Sequence, residues 1–91
     1  APSEMCIRDR GQITRAAVSI PSNIAEGMER RGQREKVWFL SVAKASCAEL
    51  RTQLMIASEL GYLPPRLAHG WINEVRELSK MLAGLINKIS D

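Results

Sequence analysis

Apolar residues recur along most of this chain at steps of three and four, the spacing that lines one face of an α-helix. Ile13, Ala17, Ile20 and Ile24 follow at steps of 4, 3 and 4, and the pattern runs straight across Pro21. A proline there leaves the carbonyl of Ala17 without its donor, costs about 3 kcal/mol relative to alanine, and bends the axis. The rival is a break in which Asn23 caps a new helix and Glu26 closes the capping box, but Gly27 would leave that helix barely one turn. One bent helix from Gly11 or Gln12 to about Met28 is therefore expected. Gly27 is read as the residue that tolerates left-handed geometry at its end, and Gly32 as the close of the connection.

A longer stripe follows in Phe39, Ala43, Cys47, Leu50, Leu54 and Ala57, predicting a second helix from about Gln33 to Leu60. Gly61 stands where a C-terminal cap belongs, and Pro64 and Pro65 cannot continue a helix interior. A third helix is expected from Pro65, where proline suits the first turn, to about Ile89. Its stripe is Ala68, Trp71 or Ile72, Val75, Leu78, Leu82, Leu85 and Ile89. Helices of this length span roughly 40 Å, and joined by short connections they pack antiparallel. The fold class expected is all-α, an up-and-down bundle of the four-helix type represented by three helices. Val37, Leu40, Met55, Ile56, Met81 and Ile86 lie outside the stripes, which leaves apolar surface for a fourth helix or a neighbouring subunit.

With 91 residues there is room for one small domain. Hydrophobic residues at 45% and charged residues at 25% exclude wholesale disorder, and an aromatic share of 4% favours aliphatic helix packing. The net charge of +3 permits an anionic partner without demanding one. Cys6 and Cys47 have neither CxxC spacing nor a nearby histidine, so a reducing, cytoplasmic setting is expected, with no metal or other cofactor. Cys47 reads as a small core residue. No apolar run approaches the roughly 20 residues that cross a bilayer, so no membrane partner is expected.

The segments "RAAVSIPSNIAEG" and "FLSVAKASCAELRTQL", with the basic connector "ERRGQREK" between them, closely resemble the four-helix bundle family known as the 23S rRNA-intervening-sequence proteins. The resemblance covers Gln12 to Leu63, and the remaining residues fit the family's fourth helix by pattern. It implies a small cytoplasmic bundle that assembles as a homopentamer. A related fold in an accessory protein of diversity-generating retroelements binds nucleic acid through a basic surface, so RNA or DNA is a partner by analogy. The family's first helix normally precedes "QITRAA", and here "APSEMCIRDR" stands in its place. Residues 1–10 are accordingly expected to be an unstructured, non-family tail, with the look of translated adapter or assembly sequence. Residues 11–91 are then a truncated bundle domain with an open groove.

Two groups of polar residues are candidate sites. Arg15, Ser19, Asn23 and Glu26 form a stripe at steps of 4, 4 and 3, and Glu49 with Ser46 and Gln53 forms another. These suit a polar network or an oligomer contact; the alternative is a solvated face with pairs worth a few tenths of a kcal/mol each. The connector carries Arg30, Arg31, Arg34 and Lys36 against Glu29 and Glu35, and Lys44 and Arg51 extend it. Repeated around an oligomer, such a cluster binds phosphates with strong salt dependence. Catalysis finds no support: His69 stands alone near a helix start, and no Glu-x-x-His pair, phosphate loop or nucleophile motif is present. Trp38 and Trp71 read as packing or interface anchors, not base-stacking platforms. The function expected is assembly with nucleic-acid binding, the alternative being a purely structural or protein-binding module.

Overall fold

A computed structural model describes the backbone of residues 2–91 and the side chains of residues 10–91. Among the described residues there are three helices and no strands: α1 (Pro2–Glu29), α2 (Gln33–Glu59) and α3 (Pro65–Ser90). The all-α expectation holds, and the boundaries of α2 and α3 fall within a residue of those read from the pattern.

Helix α1 departs from expectation at both ends. It begins at Pro2, so the unstructured tail expected over residues 1–10 is helix from its second residue onward. Pro2 sits in the first turn, where its missing N–H has no intrahelical partner to lose. No Pro or Gly intervenes before Gly11, and extending a helix needs only one hydrogen bond per residue fixed, not an apolar stripe. Cys6 lies among the residues whose side chains are outside the description. At the other end Gly27 is helical and not left-handed, since Gly61 alone, at φ +81°, has a positive φ among the described residues. Gly27 is instead a point of close approach: a Cβ there would lie 3.1 Å from Phe39 Cβ and 3.5 Å from Leu40 Cγ. The helix also runs unbroken through Pro21, which removes the reading with a restart at Asn23.

The turn between α2 and α3 closes as its sequence predicts. Tyr62 N–H donates to Ala57 O at 2.9 Å and Gly61 N–H to Ser58 O at 3.1 Å, the paired bonds of a Schellman cap that require a left-handed residue at Gly61.

Helix α2 lies between α1 and α3 and packs on both, while among the described residues α1 and α3 do not pack on each other. The result is a slab of 47 × 22 × 13 Å, about one helix thick in its thinnest direction. Leu40, Ala43, Cys47, Leu50 and Leu54 of α2 meet Ala16 and Ile20 on one side and Ile72, Val75 and Leu82 on the other. Leu40, which the stripes left outside the core, is fully buried. Ala16 rather than Ala17 faces α2: three residues after Ile13 and four before Ile20, it fits the same helical face, while Ala17 lines the groove. The choice between Trp71 and Ile72 likewise falls to Ile72, and Trp71 stays 41% exposed.

Candidate functional site

The three-residue connector from Arg30 to Gly32 and the first turns of α2 place four of the six candidate basic residues, Arg30, Arg31, Arg34 and Lys36, at one end of the slab. Arg30 is committed within the chain. Its guanidinium lies 3.0 Å from Glu26 Oε2 and 3.8 Å from Glu35 Oε2, and it rests 4.9 Å from the centroid of the Phe39 ring. One carboxylate from α1 and one from α2 thereby meet the same arginine. Lys36 Nζ reaches the carbonyl of Met28 at 3.4 Å, near the C-terminus of α1, where a cation is favoured by the helix dipole.

Arg31 and Arg34 are exposed and, among the described residues, take part in no ion pair. Arg34 lines a shallow depression with Gln33, Val37 and Ser90, and Gln33 Nε2 donates to Ile89 O at 2.6 Å, tying the end of α3 to the start of α2. Lys44 and Arg51 stand apart from this end: from Lys36 they are about 12 Å and about 23 Å along the α2 axis. They flank Cys47, whose thiol is pushed above its usual range by burial, with the two cations opposing. The six basic residues therefore form an end cluster and a separate mid-helix pair.

The polar stripes meet at the α1–α2 seam. Ser19 Oγ and Ser46 Oγ are 2.8 Å apart, and Asn23 Nδ2 donates to Ser19 O at 2.8 Å and to Ser19 Oγ at 3.0 Å. Ser46 is the one buried polar residue of the described core. Glu26 turns away to Arg30, Arg15 is exposed, and Glu49 accepts a bond from Gln53 Nε2 at 3.3 Å. Three of the expected residues thus join one network and the others do not.

An open groove was expected from the sequence but its walls were not, and the exposure of one aromatic residue was not expected. A groove of about 300 Å³ opens between α1 and α3, floored by Leu50 and walled by Ala17, Pro21 and Ile24 opposite Val75 and Leu78, with Glu74 at its rim. The aromatic residue is Trp38, 60% exposed, its ring edge-to-face with Phe39 at 4.9 Å and 87°. Its position beside Arg34, one turn earlier, was readable; its exposure was not. His69 is exposed beside a shallow depression with Met55, Ser58 and Pro65. Among the described residues no three His, Cys, Asp or Glu side chains come together as metal ligands.

The sequence pattern of the 23S rRNA-intervening sequence protein family matches residues 2–84, more than nine-tenths of the chain. The chain belongs to the 23S rRNA-intervening sequence protein family. The matched range takes in residues 2–10 of the segment 1–10 expected to be a non-family tail, and it ends within α3. The curated proteins contain no match to the chain. None of the described helices of this family member is long and apolar enough to cross a membrane.

Proposed function

We propose that this 23S rRNA-intervening sequence protein is a non-catalytic, cytoplasmic binding protein that self-associates and holds RNA on its basic end. One observation carries the reading: Arg31 and Arg34 stand exposed and outside any ion pair of the described residues, while Arg30 occupies the nearby Glu26 and Glu35. An arginine with a free guanidinium offers bidentate bonds to phosphate that a paired one does not. The two unpaired arginines per chain multiply in an oligomer, the pentamer being the assembly the family resemblance implies. Lys44 and Arg51 contribute only where a partner extends along the slab.

The test is titration of the full chain with a structured RNA, and with DNA of matched length, at rising salt. Affinity should fall steeply with salt, and Arg31→Ala with Arg34→Ala should flatten that dependence, by a slope of roughly 0.7 to 0.9 per lost phosphate contact. Absence of binding at low salt overturns the reading. The apolar groove favours a second reading, a structural or protein-binding module without nucleic acid: an open apolar channel suits the apolar face of a helix from a second copy or another protein. Self-association without RNA binding, measured by sedimentation, supports that reading instead.

A further inference from the structure

We infer that Trp38 is a stacking platform for an unpaired base, so that the RNA held at this end is single-stranded; the inference rests on the proposed RNA binding. Trp38 is among the most exposed large apolar side chains described, at 60%, and lies outside the core cluster. Its ring is not loose on the surface. Phe39 braces it edge-to-face, and Phe39 is in turn covered by the Arg30 guanidinium. Arg30 is itself fixed by Glu26 and Glu35, so a chain of contacts from the end of α1 holds the indole in place.

Two charged residues stand one turn before the ring, Arg34 and Glu35, and they differ in how they are engaged. Arg34 precedes Trp38 by four residues, about 40° round the helix, and so shares its face. Glu35, three residues before Trp38, is paired with Arg30 at 3.8 Å, whereas Arg34 takes part in no ion pair among the described residues. An aromatic face beside an unpaired arginine is the pairing by which single strands are bound: the base stacks and the adjoining phosphate meets the cation. A duplex offers no free base face, and its phosphates alone would make no use of Trp38.

The experiment uses the full chain with Trp71→Phe, so that Trp38 is the sole tryptophan, and titrates it with a 12-nucleotide oligouridylate and with a duplex RNA of equal length. Expected are quenching of Trp38 emission by the single strand, weaker binding of the duplex without quenching, and a loss of roughly 5- to 150-fold in single-strand affinity for Trp38→Leu, read by anisotropy of a labelled oligonucleotide. Trp38→Phe should retain most of it. If RNA binds but Trp38→Leu leaves its affinity unchanged, the platform is overturned and phosphate binding by the arginines stands. If Trp38→Leu instead shifts the oligomeric state in sedimentation and leaves RNA affinity unchanged, Trp38 is an assembly anchor. If neither RNA binds at low salt, both the platform and the RNA reading fall.

Discussion

Replacing Gly27 and Gly84 in turn by alanine separates helix propensity from helix packing within one molecule. Both glycines lie inside helices, and an alanine in either favours the helix by about 1 kcal/mol. At Gly84 a Cβ meets nothing within 4 Å, so the full gain should appear as added stability. At Gly27 it meets Phe39 Cβ at 3.1 Å and the backbone carbonyl of Lys36 at 3.4 Å. Neither neighbour is the end of a flexible side chain, so relief requires α1 and α2 to part by a few tenths of an ångström along a packed seam. Overpacking of this kind costs about 1–3 kcal/mol, which cancels or outweighs the propensity gain. Gly84→Ala should therefore be more stable than the parent by about 1 kcal/mol, and Gly27→Ala unchanged or less stable by up to about 2 kcal/mol. Urea unfolding followed by circular dichroism at matched protein concentration reads both. If Gly27→Ala gains as much as Gly84→Ala, close approach is not what keeps glycine at this position.

Leu40→Ala should lose about 2–5 kcal/mol in the same assay, because Leu40 is fully buried at the centre of the seam; a loss under 1 kcal/mol would place it outside the core. In a double-mutant cycle Ser19→Ala and Ser46→Ala should couple by about 0.5–1.5 kcal/mol, and strict additivity would show that their 2.8 Å contact adds no stability. Gln53 Oε1 is buried without a partner among the described residues, so Gln53→Met should be neutral or stabilising by about 1 kcal/mol, with a clear loss of stability counting against an unsatisfied acceptor. Burial raises the Cys47 thiol above its ordinary 9.0, so the folded chain keeps a proton that the unfolded chain releases. That contribution is whole below pH 9 and is lost as pH rises through the folded value. Stability should thus fall above pH 9 more steeply than in Cys47→Ala. In a Cys6→Ser background Cys47 should resist alkylation at neutral pH, and labelling at the rate of a free thiol would contradict its burial.

Much of the fold was readable because its signals are local. Gly61 lies between an apolar stripe and two prolines, and backbone geometry lets few other residues take its place, so the end of α2 was fixed by chemistry within five residues. Pro21 was likewise placed inside one helix by the stripe on either side of it. Residues 2–10 were misread because they carry no apolar period, although a helix that packs farther along its length can extend through such a segment. At the candidate site the basic connector was plain in sequence. The division of labour within it was not, because Arg30 is taken out by Glu35 and Phe39 across a turn, whereas Arg31 and Arg34 remain exposed.

The sequence by itself determined three helices, their order and their family, since periodicity, caps and motifs are properties of neighbours along the chain. Only the tertiary structure decided that α2 separates α1 from α3, which turns Ala17, Pro21, Val75 and Leu78 into the walls of an open groove. It also decided that Gly27 serves contact with Phe39 and not chain reversal, and that Trp38 faces outward while Leu40, two residues on, is sealed. A helix of 3.6 residues per turn offers several nearly equivalent apolar faces, and rotation by one residue exchanges them at little local cost. Which face is buried is settled by the fit of one helix against another, and that fit is a property of pairs distant in sequence.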